Sequence, residues 1–407
     1  MFYGWKLCFL CSLGNLMLQG CAMYGMNAFM EPLTEMYGWS RTGLSVSMGI
    51  AALVSFASVP LLGTVAMRFP LRHVMTAGAL LGTLSLIMMG QTASLPLFTV
   101  FFTLLWISGQ CCGGMVANAL MCNWFVHHRG KAFGFANIGT SASGAIVPFL
   151  ALVCVSLWGV APAFAILGLA TALLAPLCYW LIRDKPQTLG LLPDGAAAGT
   201  PLPAPSSRQD TSVRAMLHRP EVYYLGLGFG LGLMCASGIM SQLKPRFSEL
   251  GLTSYHAMLL ASLAAAFCAV SKFAWGWLCD KTSPLLVSRV LLFSNILVLA
   301  AALLPLGGIG LVLFSATLGT CCGGYWTVLP SVVSYYFGSD CFLAAYRFIS
   351  FFVILKSVAY PILGLSYDTT GSYDAGYMVY IVLVSAGLGL LMLVNEKKAC
   401  EYHPVTV

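Results

Sequence analysis

Charge is scarce in this sequence. Only 8% of its 407 residues are charged, whereas 59% belong to the hydrophobic types. Soluble globular domains carry about 25% charged residues, so this composition excludes a water-soluble enzyme. A helix that crosses the hydrocarbon core of a bilayer needs about 20 apolar residues, and 407 residues divided by twelve leave about 34 for each span with its connection. The composition therefore predicts a polytopic helical membrane protein with almost no domain outside the membrane.

Patterns for metal and nucleic-acid binding are also missing. The 15 cysteines include the vicinal pairs Cys111-Cys112 and Cys321-Cys322, but the sequence does not hold the two paired C-x-x-C motifs of a structural zinc site. We interpret the cysteines as small apolar residues of the helices and expect no metal and no cofactor. The net charge of +7 comes from bases in short connections between apolar runs, which argues against a nucleic-acid partner.

The sequence consists instead of apolar runs separated by short polar breaks. These runs predict twelve membrane spans, at about residues 5–30, 42–66, 73–91, 96–126, 132–156, 160–182, 221–247, 255–278, 285–305, 309–336, 344–366 and 375–395. The first run begins close to Lys6 and is too long for the core of a signal peptide. We therefore expect it to remain in the protein as the first span.

The longest polar break divides the spans into two blocks of six. It covers residues 183–220, opens with Arg183-Asp184-Lys185-Pro186 and continues with a run rich in Pro, Ala, Gly and Ser. Such a composition predicts a flexible linker. We expect an N-terminal bundle at 1–182, this linker, a C-terminal bundle at 221–395 and a tail at 396–407.

The lysines and arginines of the connections are unevenly distributed. Fifteen of them fall on the side that holds the linker, and only Arg41, Lys244 and Arg246 fall on the other side. Basic residues are enriched in cytoplasmic connections. Both termini and the linker are therefore expected in the cytoplasm, in a multi-pass protein of the plasma (inner) membrane.

An internal repeat relates the two blocks. Cys111-Cys-Gly-Gly114 recurs as Cys321-Cys-Gly-Gly324 at an offset of 210 residues, and Pro148 matches Pro361 at an offset of 213. Parallel repeats of six helices place the substrate path at their interface, near the middle of the bilayer. The pattern predicts an all-α membrane protein with twelve transmembrane helices in two pseudo-symmetric six-helix bundles.

These features resemble the major facilitator superfamily. The resemblance rests on the two blocks of six spans, the basic linker, and the turn from Gly276 to Lys281, which is similar to the superfamily signature of a Gly, an Asp and basic residues after the second and eighth spans. The first copy, from Gly63 to Arg68, departs from this signature because Met67 stands where the Asp would be. The resemblance implies the major facilitator fold. It also implies a gating role for these two turns, carried by Gly63, Arg68, Gly276, Asp280 and Lys281.

Two short segments resemble one branch of that superfamily more narrowly. Phe2-Tyr-Gly-Trp5 opens the chain and Gly38-Trp-Ser-Arg41 precedes the second span. Both are similar to segments of the monocarboxylate transporters and oxalate:formate antiporters. The resemblance therefore implies transport of small organic anions by a protein that we expect to be a monomer.

Two lysines are the only ionisable side chains deep inside the predicted spans. All 13 acidic residues and all 6 histidines fall in connections, tails or helix ends, whereas Lys272 lies in span eight and Lys356 in span eleven. A lysine at the centre of a membrane helix costs about 2.5–3.5 kcal/mol. Snorkelling, a water-filled cavity or an anionic ligand could offset this cost. We favour the ligand, since Lys356 is far from both ends of its span, although Lys272 could also reach the interface by snorkelling.

Neutral side chains complete the predicted site. The repeat pairs Lys356 with Ser143 and Lys272 with Val59, so the second block alone supplies positive charge and the first would supply neutral contacts. The candidates are Tyr24, Asn27, Asn118, Asn137 and Ser143 in the first block and Tyr325 and Trp326 in the second. Each could equally serve helix packing, because Asn and Ser bridge membrane helices and aromatic side chains are usually part of the core.

Two transport mechanisms follow from these residues. Oxalate:formate antiporters are similar in having basic residues in spans eight and eleven, but Lys272 stands where that family has an Arg. The arginine guanidinium can bind a carboxylate through two hydrogen bonds, whereas the lysine ammonium is a point charge. The replacement therefore weakens selection for oxalate but keeps the attraction for an organic anion. Anion exchange is favoured, because a bound anion neutralises the lysines and eases occlusion of the loaded carrier. The alternative is proton-coupled symport of a monocarboxylate of the lactate or pyruvate type. The proton-linked monocarboxylate transporters that this sequence resembles have an additional Lys in span one, whereas span one of this sequence has no Lys after Lys6.

Overall fold

A computed structural model describes residues 2–196, 212–305 and 307–396. The chain divides into two compact units, Met1–Pro201 and Leu202–Val407, called unit 1 and unit 2 below. Within the described ranges the regular structure is helical and no strand is present. The predicted all-α architecture is therefore confirmed.

Unit 1 contains six long helical passes. They are formed by α1 (Tyr3–Gly14), α2 (Met26–Tyr37), α3 (Arg41–Arg68), α4 (Leu71–Gln91), α5 (Leu95–Cys112), α6 (Gly114–Trp124), α7 (Arg129–Trp158), α8 (Val160–Ala172) and α9 (Leu174–Leu181). Two π-helical stretches, Asn15–Gln19 and Cys21–Gly25, join α1 to α2.

The described part of unit 2 starts with the short helix α10 (Val213–Leu217) and continues with long helices. These are α11 (Pro220–Glu249), α12 (Ser254–Lys281), α13 (Pro284–Ala302), α14 (Gly308–Ile349), α15 (Lys356–Thr370) and α16 (Asp374–Met392). A 3₁₀ helix at Ser350–Leu355 links α14 to α15.

The number of membrane spans agrees with the prediction of twelve. Eleven helical stretches of the described residues are long and apolar enough to cross a membrane, and one of them, Gly308–Thr370, has 63 residues. One crossing needs only about 20 residues. The long stretch is broken at Gly338, whose φ of 73° and ψ of 174° are not helical, so it supplies two spans.

The repeated Gly-to-base turns end two equivalent helices. In unit 1, α3 ends at Arg68 and is followed by extended backbone at Phe69. In unit 2, α12 ends at Lys281 and is followed by extended backbone at Thr282. A proline follows within three residues in each case, and proline disfavours helical backbone at the residue before it. The gating role of these turns stays a prediction.

The repeated Cys-Cys-Gly-Gly motif has two different backbone conformations. In unit 1 the helix breaks there, with Gly114 at a φ of 29°, whereas α14 of unit 2 runs through its copy without a break. The cause is Asn15, whose Oδ1 accepts a hydrogen bond from the Gly114 N–H at 3.2 Å and whose Nδ2 donates to the Ala136 carbonyl at 2.9 Å. At the offset of 210 that relates the two motifs, unit 2 has Leu225 in place of Asn15, and the Trp275 indole N–H donates to the Thr320 carbonyl of α14 at 2.9 Å without breaking that helix.

Residues 183–196 are folded against unit 1, so the prediction of a flexible linker is wrong for this part. The Asp184 carboxylate accepts hydrogen bonds from the Leu71 and Arg72 N–H groups at 3.0 and 3.2 Å, and thereby caps α4. The Asp194 carboxylate accepts from the N–H groups of Val126 and His127 at 2.9 and 2.7 Å. The end of the predicted linker, 212–220, is also described and contains the short helix α10 (Val213–Leu217). Residues 197–211 of the linker and 397–407 of the tail lie outside the described residues.

Arg246 is a structural cation of unit 2, although the sequence places it in a connection. It is 6% exposed, and its guanidinium forms ion pairs with Glu249 at 3.0 Å and Asp374 at 2.6 Å. It also donates to the Ala302 carbonyl at 3.1 Å. These bonds tie together the ends of α11 and α13 and the start of α16. Arg347, also placed in a connection by the sequence, is 2% exposed.

We expect Arg246→Ala to lower the free energy of unfolding by about 2 kcal/mol, because Glu249 and Asp374 lose their common partner while water still reaches them in part. Thermal unfolding of the detergent-solubilised protein measures this change. Arg214→Ala removes an exposed arginine of α10 and is the control, for which the melting temperature should not move. Equal melting temperatures for the two variants would contradict the stabilising role of Arg246.

Candidate functional site

The two lysines predicted from the sequence both lie in the interior of unit 2. Lys272 is on α12 and is 2% exposed. Lys356 is half-buried and is the first residue of α15, directly after the 3₁₀ helix. Within the part of the chain that the structure describes, Lys356 forms no ion pair and no hydrogen bond. Its charge therefore lacks the carboxylate partners that Arg246 has.

The backbone on both sides of Lys356 departs from a regular α-helix. The preceding six residues, Ser350–Leu355, form a 3₁₀ helix, which is tighter and has poorer hydrogen-bond geometry. Pro361 follows five residues later inside α15 and cannot donate a backbone hydrogen bond. Lys356 is thus placed at a locally weakened part of the helix, which the sequence reveals only through Pro361.

Trp326 is the aromatic neighbour of Lys356. The Lys356 Nζ lies 6.0 Å from the centre of the Trp326 ring, at the outer limit of a cation–π interaction. Trp326 is half-buried on α14. Unlike the indole N–H groups of Trp124 and Trp275, which donate to backbone carbonyls, that of Trp326 has no acceptor among the described residues. An ammonium and an indole N–H are therefore both available as donors within this small region.

Two cysteines lie on the same helices as these side chains. Cys268 lies one turn before Lys272 on α12, and Cys322 lies one turn before Trp326 on α14. We call Cys268, Lys272, Cys322, Trp326 and Lys356 the lysine cluster. Within it, Lys356 and Trp326 are neighbours, and Lys272 lies on α12, which touches α14 at Gly323.

Glycine makes this cluster possible by allowing α12 and α14 to touch. A Cβ atom added at Gly323 would lie 2.3 Å from the Cys268 carbonyl oxygen and 2.2 Å from the Ser271 Oγ. Real Cβ atoms do not approach backbone oxygen so closely, so a larger residue would push the helices apart. The second Cys-Cys-Gly-Gly motif is therefore a close-packing site, and the helix contact fixes the positions of Cys268 and Cys322.

Tyr325, although adjacent to Trp326 in the sequence, has a different environment. It is 1% exposed, its hydroxyl accepts a hydrogen bond from the Asn295 Nδ2 at 2.7 Å, and its ring packs edge-on against Phe229. Consecutive residues of a helix point about 100° apart, so the two aromatic side chains cannot share one surface. In this structure Tyr325 joins α14 to α13 and α11.

The candidate residues of unit 1 take part in its internal packing. The Asn137 Nδ2 donates to the Asn118 Oδ1 at 3.1 Å. Ser143 is fully buried and donates to the Thr140 carbonyl at 2.8 Å. Tyr24 is half-buried, and the side chain of Asn27 lies outside what the structure describes. Ligand contact by these residues stays a prediction.

Sequence reasoning missed two buried amides of the first span. Asn15 and Gln19 are 1% and 5% exposed, and both lie in the π-helical stretch Asn15–Gln19. The Gln19 Oε1 has no hydrogen-bond partner among the described residues. The only signal in the sequence is their polarity within a long apolar run, since nothing there predicts a π-helix.

No group of three or more potential metal ligands is present among the described residues. The expectation that the protein works without a metal or another cofactor stays a prediction.

Comparison with known proteins gives the family. The model of the Major Facilitator Superfamily matches residues 12–341. An uncharacterized MFS-type transporter of Bacillus subtilis, YcxA, is 24% identical over 416 aligned positions that cover 93% of this chain and 94% of YcxA. Monocarboxylate transporter 11 of Mus musculus is 24% identical over 383 positions that cover 88% of this chain and 80% of that protein.

Solved structures show the same fold. The proton:xylose symporter XylE bound to 6-bromo-6-deoxy-D-glucose superimposes with a TM-score of 0.73 at 14% identity, over 98% of both chains. The family match covers most of the sequence and agrees with the twelve apolar spans. The chain belongs to the Major Facilitator Superfamily and is a multi-pass membrane protein that carries out secondary transport.

Proposed function

We propose that the protein transports small organic anions and that Lys356 binds their carboxylate. The observation that carries this proposal is an ammonium inside the helical unit that has neither an ion pair nor a hydrogen bond within the described residues. A lysine in this position costs about 2.5–3.5 kcal/mol. A bound carboxylate offsets this cost, and the protein carries the uncompensated charge in order to bind it.

The surroundings of Lys356 fit one carboxylate group. One oxygen accepts from the ammonium and the other from the Trp326 N–H, while the group attached to the carboxylate lies along the indole ring. Lys272 adds positive potential to the same cluster. The name of a relative, monocarboxylate transporter 11, supports a carboxylate over a sugar or a cation as the substrate.

Anion-for-anion exchange is the coupling that we propose. An empty carrier must bury Lys356 without a counter-ion when it changes conformation, whereas a loaded carrier buries a neutral pair. Conformational change is therefore faster with an anion bound, which is the condition for exchange. We place the protein in the plasma (inner) membrane with both termini in the cytoplasm, in accordance with the distribution of basic residues.

The runner-up is symport of a monocarboxylate with a proton, in which Lys356 or Lys272 would release its proton on one side of the membrane. The two mechanisms differ in their response to a pH gradient. Exchange predicts fast counterflow that an imposed gradient changes little. Net uptake that occurs only with an inward proton gradient would contradict exchange and leave carboxylate binding by Lys356 intact.

We expect Lys356→Ala to reduce exchange of radiolabelled pyruvate in proteoliposomes by about 100-fold, since the charge that holds the carboxylate is lost. The choice of anion is checked first, by measuring how much each member of a panel of mono- and dicarboxylates raises the melting temperature of the protein. If another anion binds more tightly than pyruvate, that anion is used in the exchange assay. Lys185→Ala, which removes an exposed lysine, is the matched control and should exchange at the original rate. Wild-type exchange by Lys356→Ala protein that is inserted normally would refute the proposal.

Replacement of the neighbouring aromatic residues separates binding from packing. Trp326→Phe keeps a ring but removes the N–H, and we expect KM to rise about tenfold, which corresponds to the loss of one hydrogen bond to a charged group. Tyr325→Phe removes the acceptor of Asn295, and we expect a lower melting temperature with an unchanged KM. Transport kinetics and thermal unfolding of both variants test this. If KM rises for Tyr325→Phe and not for Trp326→Phe, then Tyr325 binds the substrate and Trp326 serves packing.

A further inference from the structure

A basic and aromatic group of side chains lies at one end of unit 1, where α4 begins and α9 ends. The Arg72 guanidinium carbon lies 5.8 Å from the centre of the Tyr179 ring, and the centre of the His73 ring lies 6.1 Å from the same point. We call Arg72, His73 and Tyr179 the interfacial cluster. Both helices belong to apolar spans that end here, so the cluster lies where hydrocarbon meets the lipid headgroups.

The cluster presents hydrogen-bond donors that the fold does not use. Over the described ranges, neither the Arg72 guanidinium nor the His73 imidazole nor the Tyr179 hydroxyl forms a hydrogen bond or an ion pair. Contact with the face of the Tyr179 ring leaves the guanidinium N–H groups available. In unit 2, by contrast, the Arg289 guanidinium near the start of α13 donates to two backbone carbonyls at the end of α16.

Asp184 is the carboxylate that the structure shows next to the cluster, and backbone groups occupy it. Its oxygens accept from the N–H groups of Leu71 and Arg72 at 3.0 and 3.2 Å, and it does not pair with the guanidinium of Arg72. The start of α4 is therefore already capped. Arg183 and Lys185 flank Asp184 in the chain, so the charge around the cluster is positive.

An apolar stripe continues from the cluster along α4. Leu80 and Leu84 follow His73 by 7 and 11 residues, which places all three on one face of the helix. The two leucines are 54% and 52% exposed. Trp180, next to Tyr179 in the chain, is 69% exposed, as is typical of aromatic residues at a membrane surface. A ligand at the cluster can therefore extend from polar donors onto apolar side chains.

We propose that the interfacial cluster binds the phosphate of an anionic phospholipid. The Arg72 guanidinium donates two parallel hydrogen bonds to phosphate oxygens, and the Tyr179 hydroxyl and the His73 imidazole donate to the remaining ones. The acyl chains lie along Leu80 and Leu84, which a free phosphate ion would leave unused. Basic residues near the surface attract anionic lipids, whereas the ammonium of a zwitterionic lipid would be repelled. The site lies in unit 1 and does not rest on the transport proposed for Lys356.

Native mass spectrometry of the full-length protein in detergent, titrated with phosphatidylglycerol, tests the site. We expect Arg72→Ala to raise the dissociation constant of the first bound lipid about tenfold, because hydrogen bonds to a charged group are lost. Arg72→Lys keeps the charge without the planar fork and should have an intermediate effect, and it replaces Arg72→Ala if that variant does not fold. Arg214→Ala removes an exposed arginine of α10 and is the matched control, which should bind like the original protein.

Thermal unfolding gives a second readout and separates a lipid from a free anion. Phosphatidylglycerol should raise the melting temperature of the original protein and of Arg214→Ala, and should raise that of Arg72→Ala less. Equal affinity of the original protein and Arg72→Ala for phosphatidylglycerol overturns the proposal, and so does equal binding of phosphatidylcholine and phosphatidylglycerol. If inorganic phosphate alone stabilises the protein as much as phosphatidylglycerol does, the cluster is a site for a free anion and the lipid proposal is wrong.

Discussion

The constraint on which the rest of unit 2 depends is an ammonium group inside a bundle of apolar helices. In the membrane a helix satisfies its own backbone groups, so the remaining electrostatic cost is concentrated on the few charged side chains. Lys356 carries such a charge without a carboxylate partner among the described residues. The 3₁₀ turn before it and Pro361 after it shape the backbone that carries this charge beside Trp326, and neither of them neutralises it.

Arg246 is a cation of the same unit that stabilises the fold, and it has the partners that Lys356 lacks among the described residues. Its guanidinium bonds to two carboxylates and a backbone carbonyl, and the network lies at helix ends, where part of it reaches solvent. Breaking such a pair is costly because it leaves charge uncompensated. Lys356 has none of these partners, although the chain contains 13 acidic residues that could have supplied one. The difference between the two cations is the reason for assigning binding to one and packing to the other.

Periodicity and helix-ending residues made most of the fold predictable. Twelve apolar runs became twelve spans, and the repeated turns ended α3 and α12 at the equivalent residues Arg68 and Lys281. The site was less predictable. The unusual depth of Lys356 was visible in the sequence, but the separation of Tyr325 from Trp326 depends on which helix face meets α13, and hydropathy does not contain that information. The folding of residues 183–196 was also hidden, because composition does not show that Asp184 and Asp194 cap N–H groups distant in sequence.

The two copies of the repeat acquired different roles through few residues. Both units have Cys-Cys-Gly-Gly, yet in unit 1 the Asn15 Oδ1 accepts a hydrogen bond from the Gly114 N–H where the helix breaks, whereas α14 runs through its copy without a break. A continuous helix keeps Cys322 and Trp326, which are four residues apart, on one face of α14, and Trp326 lies beside Lys356. At the position of Lys356 itself, unit 1 has Ser143, which is satisfied by its own helix. The two units therefore share a helical architecture, but they differ at the equivalent positions Ser143 and Lys356. Only unit 2 has a positive charge at this position, because the side chain there is a lysine and not a serine.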